Sequence, residues 1–230
     1  MELISNWIKN NNLISEYKEK ISICENDKRE TPYYWVRQWV YNNAPDYISS
    51  FDDSVSIGQY ESKRWMINEL SKINLKEFEP LHIDVIGSWF GFPLIEMLNG
   101  LFKIKQIDLY DLDSMCHQVT AQYVNHFDYD FRIVQFGDAF QKKDWRRRNV
   151  VINTSSEHMA NMIDLKTHYK DYPTTPILVI QSNNYFEIDE HINCVKNEDE
   201  LIEKNKINHV YFSGVQKLPL YDRFMVIGRW

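Results

Sequence analysis

At 230 residues and a net charge of −7, from 26 basic and 33 acidic side chains, the chain is long enough for one well-buried core, and one domain with an extension is expected rather than two equal domains. The acidic balance argues against an extensive nucleic-acid surface, which draws its affinity from clustered Lys and Arg. No apolar run approaches the roughly 18 residues of a membrane span, and the first residues lack the basic start and long apolar core of a secretory signal.

Cys24, Cys116 and Cys194 are few and far apart in sequence, which suggests neither a disulfide framework nor a zinc knuckle. A reducing cytoplasm is therefore expected. The dense basic cluster Arg146, Arg147 and Arg148 reads as a solvated loop.

From Met1 to about Lys76 the apolar spacing is helical. Trp7, Ile8, Leu13, Ile14 and Tyr17 form one stretch and Tyr34, Trp35, Trp39 and Val40 another, separated by the charged segment Glu25 to Glu30. Pro45 and the loop from Phe51 to Gly58 interrupt this pattern before a helix over Tyr60 to Leu75. Residues 1–76 thus read as a helical cap and 77–230 as the ligand-binding domain.

After Pro80, short β-runs alternate with helices, the pattern of crossover connections and a parallel sheet. Strands are expected at His82–Ile86, Lys105–Tyr110, Phe131–Phe136, Val150–Asn153 and Pro176–Gln181. Helices are expected at Pro93–Asn99, Ser114–Phe127, Ala160–Tyr169 and Glu198–Lys204. Asn208–Gly214 and Tyr221–Gly228 close the chain as a hairpin around Pro219. The predicted fold is α/β and Rossmann-like, a mostly parallel seven-stranded sheet with an antiparallel C-terminal hairpin and an N-terminal helical cap.

A nucleoside site on such a sheet lies beyond the carboxyl ends of the strands, where the first turn lets backbone approach the ligand. Ile86 is followed by Gly87, Ser88, Trp89, Phe90 and Gly91, and glycine has no Cβ to obstruct a tight or left-handed turn. The next strand ends in Asp111, placed to accept hydrogen bonds from both ribose hydroxyls. Asp113, already in the loop, reads as a helix cap. Asp138, after the third strand, suits the exocyclic amine of an adenine.

These positions, in this order, resemble the class I S-adenosylmethionine-dependent methyltransferases. Gly87 through Gly91 stand for the glycine loop of that family, Asp111 for its ribose acid and Gly137-Asp138-Ala139 for its adenine-side motif. The resemblance covers about Leu81 to Trp230 and implies S-adenosylmethionine as cofactor. More closely, the chain is similar to methyltransferase-like proteins common in bacteriophages, which pair a G-S-W-F-G-type turn with N-T-S-S-E-H-M-type and Q-S-N-N-Y-type segments. Two features depart from the family. Trp89 and Phe90 fill the loop, and Asp84 lies three residues before Gly87 rather than two, which puts it on the opposite strand face from the acid of the family.

The resemblance implies a cofactor set of Gly87, Ser88, Trp89, Gly91, Asp111, Asp138, Asn153 and Lys63. Lys63, in a segment similar to the cap helix of the phage proteins, offers full charge and three donors to a carboxylate such as that of methionine. The segment Asn153 to Met159 occupies the place where amino-methylating nucleic-acid enzymes carry a proline-rich aromatic run. It keeps only the asparagine, which disfavours base methylation. Glu157 and His158 read as an acid/base pair, and Gln181, Asn183 and Tyr185 as donors and acceptors for a polar substrate. Glu157, His158, Glu190, His191 and Cys194 lack a compact ligand spacing, so no metal is expected. The function expected is methyl transfer to a small polar molecule or protein side chain. Aminocarboxypropyl transfer, cofactor cleavage and a non-catalytic binding module are the alternatives.

Overall fold

A computed structural model of the chain describes residues 32–127, 129–141, 148–169, 175–218 and 220–230. The expected helical stretch around Trp7 to Tyr17, the segment Glu25 to Glu30, Cys24, Arg146, Arg147 and Pro219 lie outside these residues. Among the described residues three α-helices come first: α1 (Pro32–Asn43), α2 (Ile48–Ser54) and α3 (Ile57–Leu70). The side chain of Ser56 caps α3 by accepting from the Gln59 amide. The sheet region follows in the order β1 (Leu81–Ile86), α4 (Leu94–Asn99), β2 (Ile104–Tyr110), α5 (Ser114–Val124), β3 (Arg132–Phe136), β4 (Val150–Asn153), α6 (Lys166–Tyr169), β5 (Ile177–Asn183), α7 (Glu198–Asn205), β6 (His209–Lys217) and β7 (Asp222–Arg229).

The seven strands form one sheet in the order β3-β2-β1-β4-β5-β7-β6. Strands β1 to β5 are parallel neighbours, and β7 inserts antiparallel between β5 and β6. The order reverses between β1 and β4, and a reversal of this kind opens a crevice at the carboxyl ends of the strands. Strands β4 and β5 are buried at every position, as expected for parallel strands covered on both faces.

Two apolar layers sandwich the sheet. On one face Ile83, Val85, Ile107 and Leu109 pack with Met66 and Leu70 of α3 and with Leu94, Ile95 and Leu98 around α4. On the other, Ile86, Val151, Leu178 and Ile180 pack with Met162, Leu165 and Tyr169, and with Leu201 of α7. A third cluster joins Val36 and Val40 of α1 and Phe51 of α2 to Phe90 and to Cys116, Val119 and Tyr123. The N-terminal helices therefore pack beside the glycine turn and hold its outer side.

Several boundaries differ from the sequence reading. The helix expected over Ala160–Tyr169 is a 3-10 turn (Met162–Leu165) followed by the single turn α6. Its backbone is satisfied from elsewhere: Asn205 Oδ1 accepts from the Met162 amide, and Asn193 Nδ2 donates to the Met159 carbonyl. Helix α5 stops at Val124, where the amides of His126 and Phe127 turn back to Tyr123 and Val124. Strand β5 runs on to Asn183 because β7 pairs with it as far as Asn183–Arg223.

Arg148 corrects the reading of a solvated basic loop. It is buried immediately before β4, where its Nε donates to Asp84 and its second guanidinium nitrogen to Asp108. These two aspartates face each other across the β1–β2 register, and without a cation between them two buried carboxylates would repel. The other Asp84 oxygen accepts from the Tyr169 hydroxyl at 3.0 Å, and the other Asp108 oxygen accepts from Gln106. Burial first, then the Asp84 charge, holds the Tyr169 phenol well above its ordinary pKa.

Candidate functional site

A cleft of about 1090 Å³ opens at the carboxyl ends of β1, β2 and β4, lined also by α3 and by the loops after β3, β5 and β6. The turn after β1 forms its floor. Gly87, Trp89 and Gly91 all have positive φ, at 66°, 50° and 72°. A Cβ on Gly87 would lie 2.5 Å from Met159 Cε and 2.8 Å from Ser155 Oγ, so the turn needs glycine there for both torsion and space.

Positive φ is unfavourable for a bulky residue such as Trp89. It is held in place by Asp111, whose Oδ2 accepts from the Trp89 amide at 2.7 Å. The other Asp111 oxygen accepts from the Asp113 amide at 3.0 Å. Each carboxylate oxygen retains a further acceptor site, so Asp111 both fixes the turn and faces the cleft. Asp113 caps α5 through the Met115 amide, as its position predicts. The Trp89 ring stacks on Phe90 and donates to Ser50 Oγ, so it braces the third apolar cluster while lining the cleft. Ser88 Oγ is buried and has no hydrogen-bond partner.

Asp138 reaches the cleft after β3, with one oxygen accepting from the Phe140 amide. Leu112, 81% exposed, adds an apolar wall nearby. From α3 comes Lys63, which is buried rather than solvated. Its Nζ donates to Gln59 Oε1 at 2.7 Å. Burial, and then the Arg223 charge, pull its pKa down to about 7, against the opposing pull of Asp53 and Glu157.

Close enough to Lys63 to act on its charge stand Glu157 and Arg223, both buried. Glu157 Oε1 accepts from Asn183 Nδ2 at 2.7 Å and lies 3.5 Å from Arg223, while its Oε2 has no hydrogen-bond partner. Arg223 also donates to the Thr154 carbonyl at 2.9 Å. Burial works against its charge, but the Glu157 carboxylate and Tyr221 together outweigh it and its pKa is raised. Tyr185 stacks on Tyr221 beside this pair.

Of the residues singled out from the sequence, Gly87, Ser88, Trp89, Gly91, Asp111, Asp138, Lys63, Glu157, His158, Asn183 and Tyr185 all line this cleft. Asn153 and Gln181 do not. Asn153 is fully buried, accepting from the Ser155 amide and facing the sulfurs of Met159 and Met162. Gln181 lies within β5 rather than in a loop, and donates to the Ser62 carbonyl, tying α3 to the sheet. Arg223, Gln59 and Tyr221 escaped the sequence reading. Arg223 directly precedes the apolar run Phe224–Ile227 of β7, the one local sign that it has a buried partner.

No protein-family model matches the sequence, and no curated protein matches it. Among solved structures, the chain is similar to the N-methyltransferase NodS from Bradyrhizobium japonicum WM9 in complex with S-adenosyl-L-homocysteine. The TM-score is 0.57 at 13% identity, over 87% of this chain and 98% of that one. It is similar to the mitomycin 7-O-methyltransferase MmcR at a TM-score of 0.55 and 12% identity, over 97% and 74%. The small RNA methyltransferase HEN1 gives a TM-score of 0.54 at 14% identity, over 72% of this chain and 25% of that one. These three act on different acceptors, and what this chain shares with them is the fold: it has the Rossmann-like methyltransferase architecture.

Proposed function

We propose that the cleft binds S-adenosylmethionine and that the protein transfers its methyl group to a small polar molecule or a protein side chain. The carrying observation is Asp111, a carboxylate at the end of β2 that locks the positive-φ turn and still presents acceptor sites at the crevice of the β1–β4 reversal. Two features of the cleft fit this cofactor. Gly87 and Gly91 turn at positive φ in the cleft wall with no side chain to obstruct a ligand, and Ser88 Oγ is a buried group with no hydrogen-bond partner among the described residues. The solved NodS complex, with S-adenosyl-L-homocysteine in a chain of the same fold, supports the choice.

In this reading Asp111 receives the ribose hydroxyls, Asp138 the adenine amine, and Lys63 the methionine carboxylate. When bound, S-adenosylmethionine supplies a methyl group activated by its sulfonium. The chain then acts mainly by holding the acceptor in line with that group. Tyr185, which lines the cleft, orients it in this reading, and Asn183 acts through Glu157, to which its Nδ2 donates. Ser50, Asp53, Gln59 and Lys63 all come from before residue 77, so the N-terminal helices complete the site rather than forming a separate unit.

The test is incubation with methyl-labelled S-adenosylmethionine and fractionated small-molecule and protein acceptors, read by product mass. An acceptor gaining one methyl group, with S-adenosylhomocysteine formed in equal amount, is expected. An acceptor gaining the aminocarboxypropyl group instead contradicts the assigned reaction.

A further inference from the structure

Glu157 and His158 are adjacent in the turn after β4, whereas His191 lies in the loop after β5, so their sequence spacing gives no ligand pattern. The fold nevertheless brings one carboxylate oxygen and one ring nitrogen from each histidine to within 4.8 Å of one another, at the wall of the cleft. Two ligand atoms of one ion, each about 2.1 Å from it, stand roughly 3.4 Å apart in tetrahedral geometry. His158 is exposed, so its ring can turn toward the other two ligands.

Hydrogen bonds behind these groups orient two of them. His191 Nδ1 lies 2.8 Å from the Tyr185 carbonyl oxygen. A carbonyl can only accept, so Nδ1 carries the hydrogen and Nε2 of the neutral ring keeps its lone pair. Asn183 fixes Glu157 through Oε1, leaving Oε2 buried without a hydrogen-bond partner. An unsatisfied buried carboxylate oxygen is costly, and a cation is one partner that would satisfy it. The His158 ring meets His191 edge-on at 4.6 Å.

We propose that Glu157, His158 and His191 hold one divalent first-row transition-metal ion, with its remaining coordination positions open to the cleft. Two imidazoles and one carboxylate suit zinc, iron, cobalt or manganese better than calcium or magnesium, which take all-oxygen sites. Cys194 does not join the set. Its Sγ lies on the Nδ1 side of His191 and is occupied with Asn183 Oδ1 and the Tyr185 carbonyl. The Arg223 guanidinium, 3.5 Å from Glu157, opposes a dication and makes the binding reversible rather than structural. That the metal faces the acceptor end of the cleft rests on the cofactor reading above. The existence of the site does not.

The test uses the full chain, stripped with a chelator and titrated with Co2+ and Zn2+ in the absence of S-adenosylmethionine. One ion per chain is expected, with the visible Co2+ spectrum of a site containing nitrogen ligands. His158→Ala and His191→Ala should each weaken binding by at least about tenfold, with melting curves confirming that both are folded. Glu157→Gln, which keeps an acceptor for Asn183, should do the same. Asp111→Ala should lose cofactor binding but keep the metal, so failure of one reading is separable from failure of the other. Absence of stoichiometric Co2+ and Zn2+ binding by the wild type, or unchanged affinity in both histidine variants, overturns the proposal.

Discussion

Arg148 and Arg223 are both buried arginines beside carboxylates, and their surroundings are completed in different ways. Arg148 bridges Asp84 and Asp108, and the second oxygen of each aspartate is taken by Tyr169 or Gln106. None of Asp84, Asp108 and Arg148 lines the cleft. Arg223 has one carboxylate, 3.5 Å away, its Nε has no hydrogen-bond partner, and neither has Glu157 Oε2. Nearby Lys63, among the described residues, donates only to groups of Gln59. A saturated buried network specifies and rigidifies a fold, whereas a half-satisfied one is costly unless something else completes it. The difference separates the charge that organises the sheet from charge at the cleft that the proposed function assigns to ligand binding.

The strongest way to break this comparison is Arg148→Met. It leaves two adjacent carboxylates uncompensated and is expected to destabilise the protein by about 3–5 kcal/mol, measured by urea unfolding. An unchanged midpoint would show that the network is not structural.

Lys63→Met should move stability in the opposite direction. Removing a buried and poorly paired charge is expected to stabilise the ligand-free protein by about 1–4 kcal/mol at neutral pH. The sign follows from its pKa, about 7 in the folded chain against an ordinary value of 10.5. Between these values the unfolded chain holds a proton that the folded chain has lost, so the Lys63 contribution makes stability rise with pH across that window. The Met variant should lose this slope. In the wild type, affinity for S-adenosylmethionine should fall as pH rises through about 7 and Lys63 loses its charge, while the variant should bind weakly at every pH.

Gly87→Ala should cost more than about 1 kcal/mol through its positive φ and should also weaken cofactor affinity, seen in a thermal shift with and without S-adenosylhomocysteine. The smallest effect on folding is expected from Leu112→Ser, within about 0.5 kcal/mol because the residue is exposed. Its cofactor affinity should still drop if Leu112 walls the adenine.

The same contrast marks what the sequence revealed. Val150–Asn153 was legible to the residue because a short continuous apolar run admits few other readings in an alternating β/α pattern. Gly87, Gly91 and Asp111 were legible because a turn at a strand end restricts both torsion and residue type. Arg148 was not, since a run of three arginines carries no trace of the two aspartates that the β1–β2 register sets side by side. Arg223 was hidden for the same reason: its partners Glu157 and Thr154 follow β4 and meet it only because β7 pairs beside β5. The grouping of His191 with Glu157 and His158 was missed because loops remote in sequence bring them together. The Ala160–Tyr169 segment misled because Asn193 and Asn205, remote in sequence, hold the Met159 carbonyl and the Met162 amide, contacts that the local pattern does not reveal.

The central claim is that the unsaturated cleft is completed by S-adenosylmethionine through Asp111, and isothermal calorimetry with that cofactor tests it directly. Wild type should bind one equivalent. Asp111→Ala, folded by circular dichroism, should bind at least about 100-fold more weakly, as expected for losing about 3 kcal/mol of hydrogen bonding to a charged group. No binding by the folded wild type, or equal affinity in the two proteins, would contradict the account.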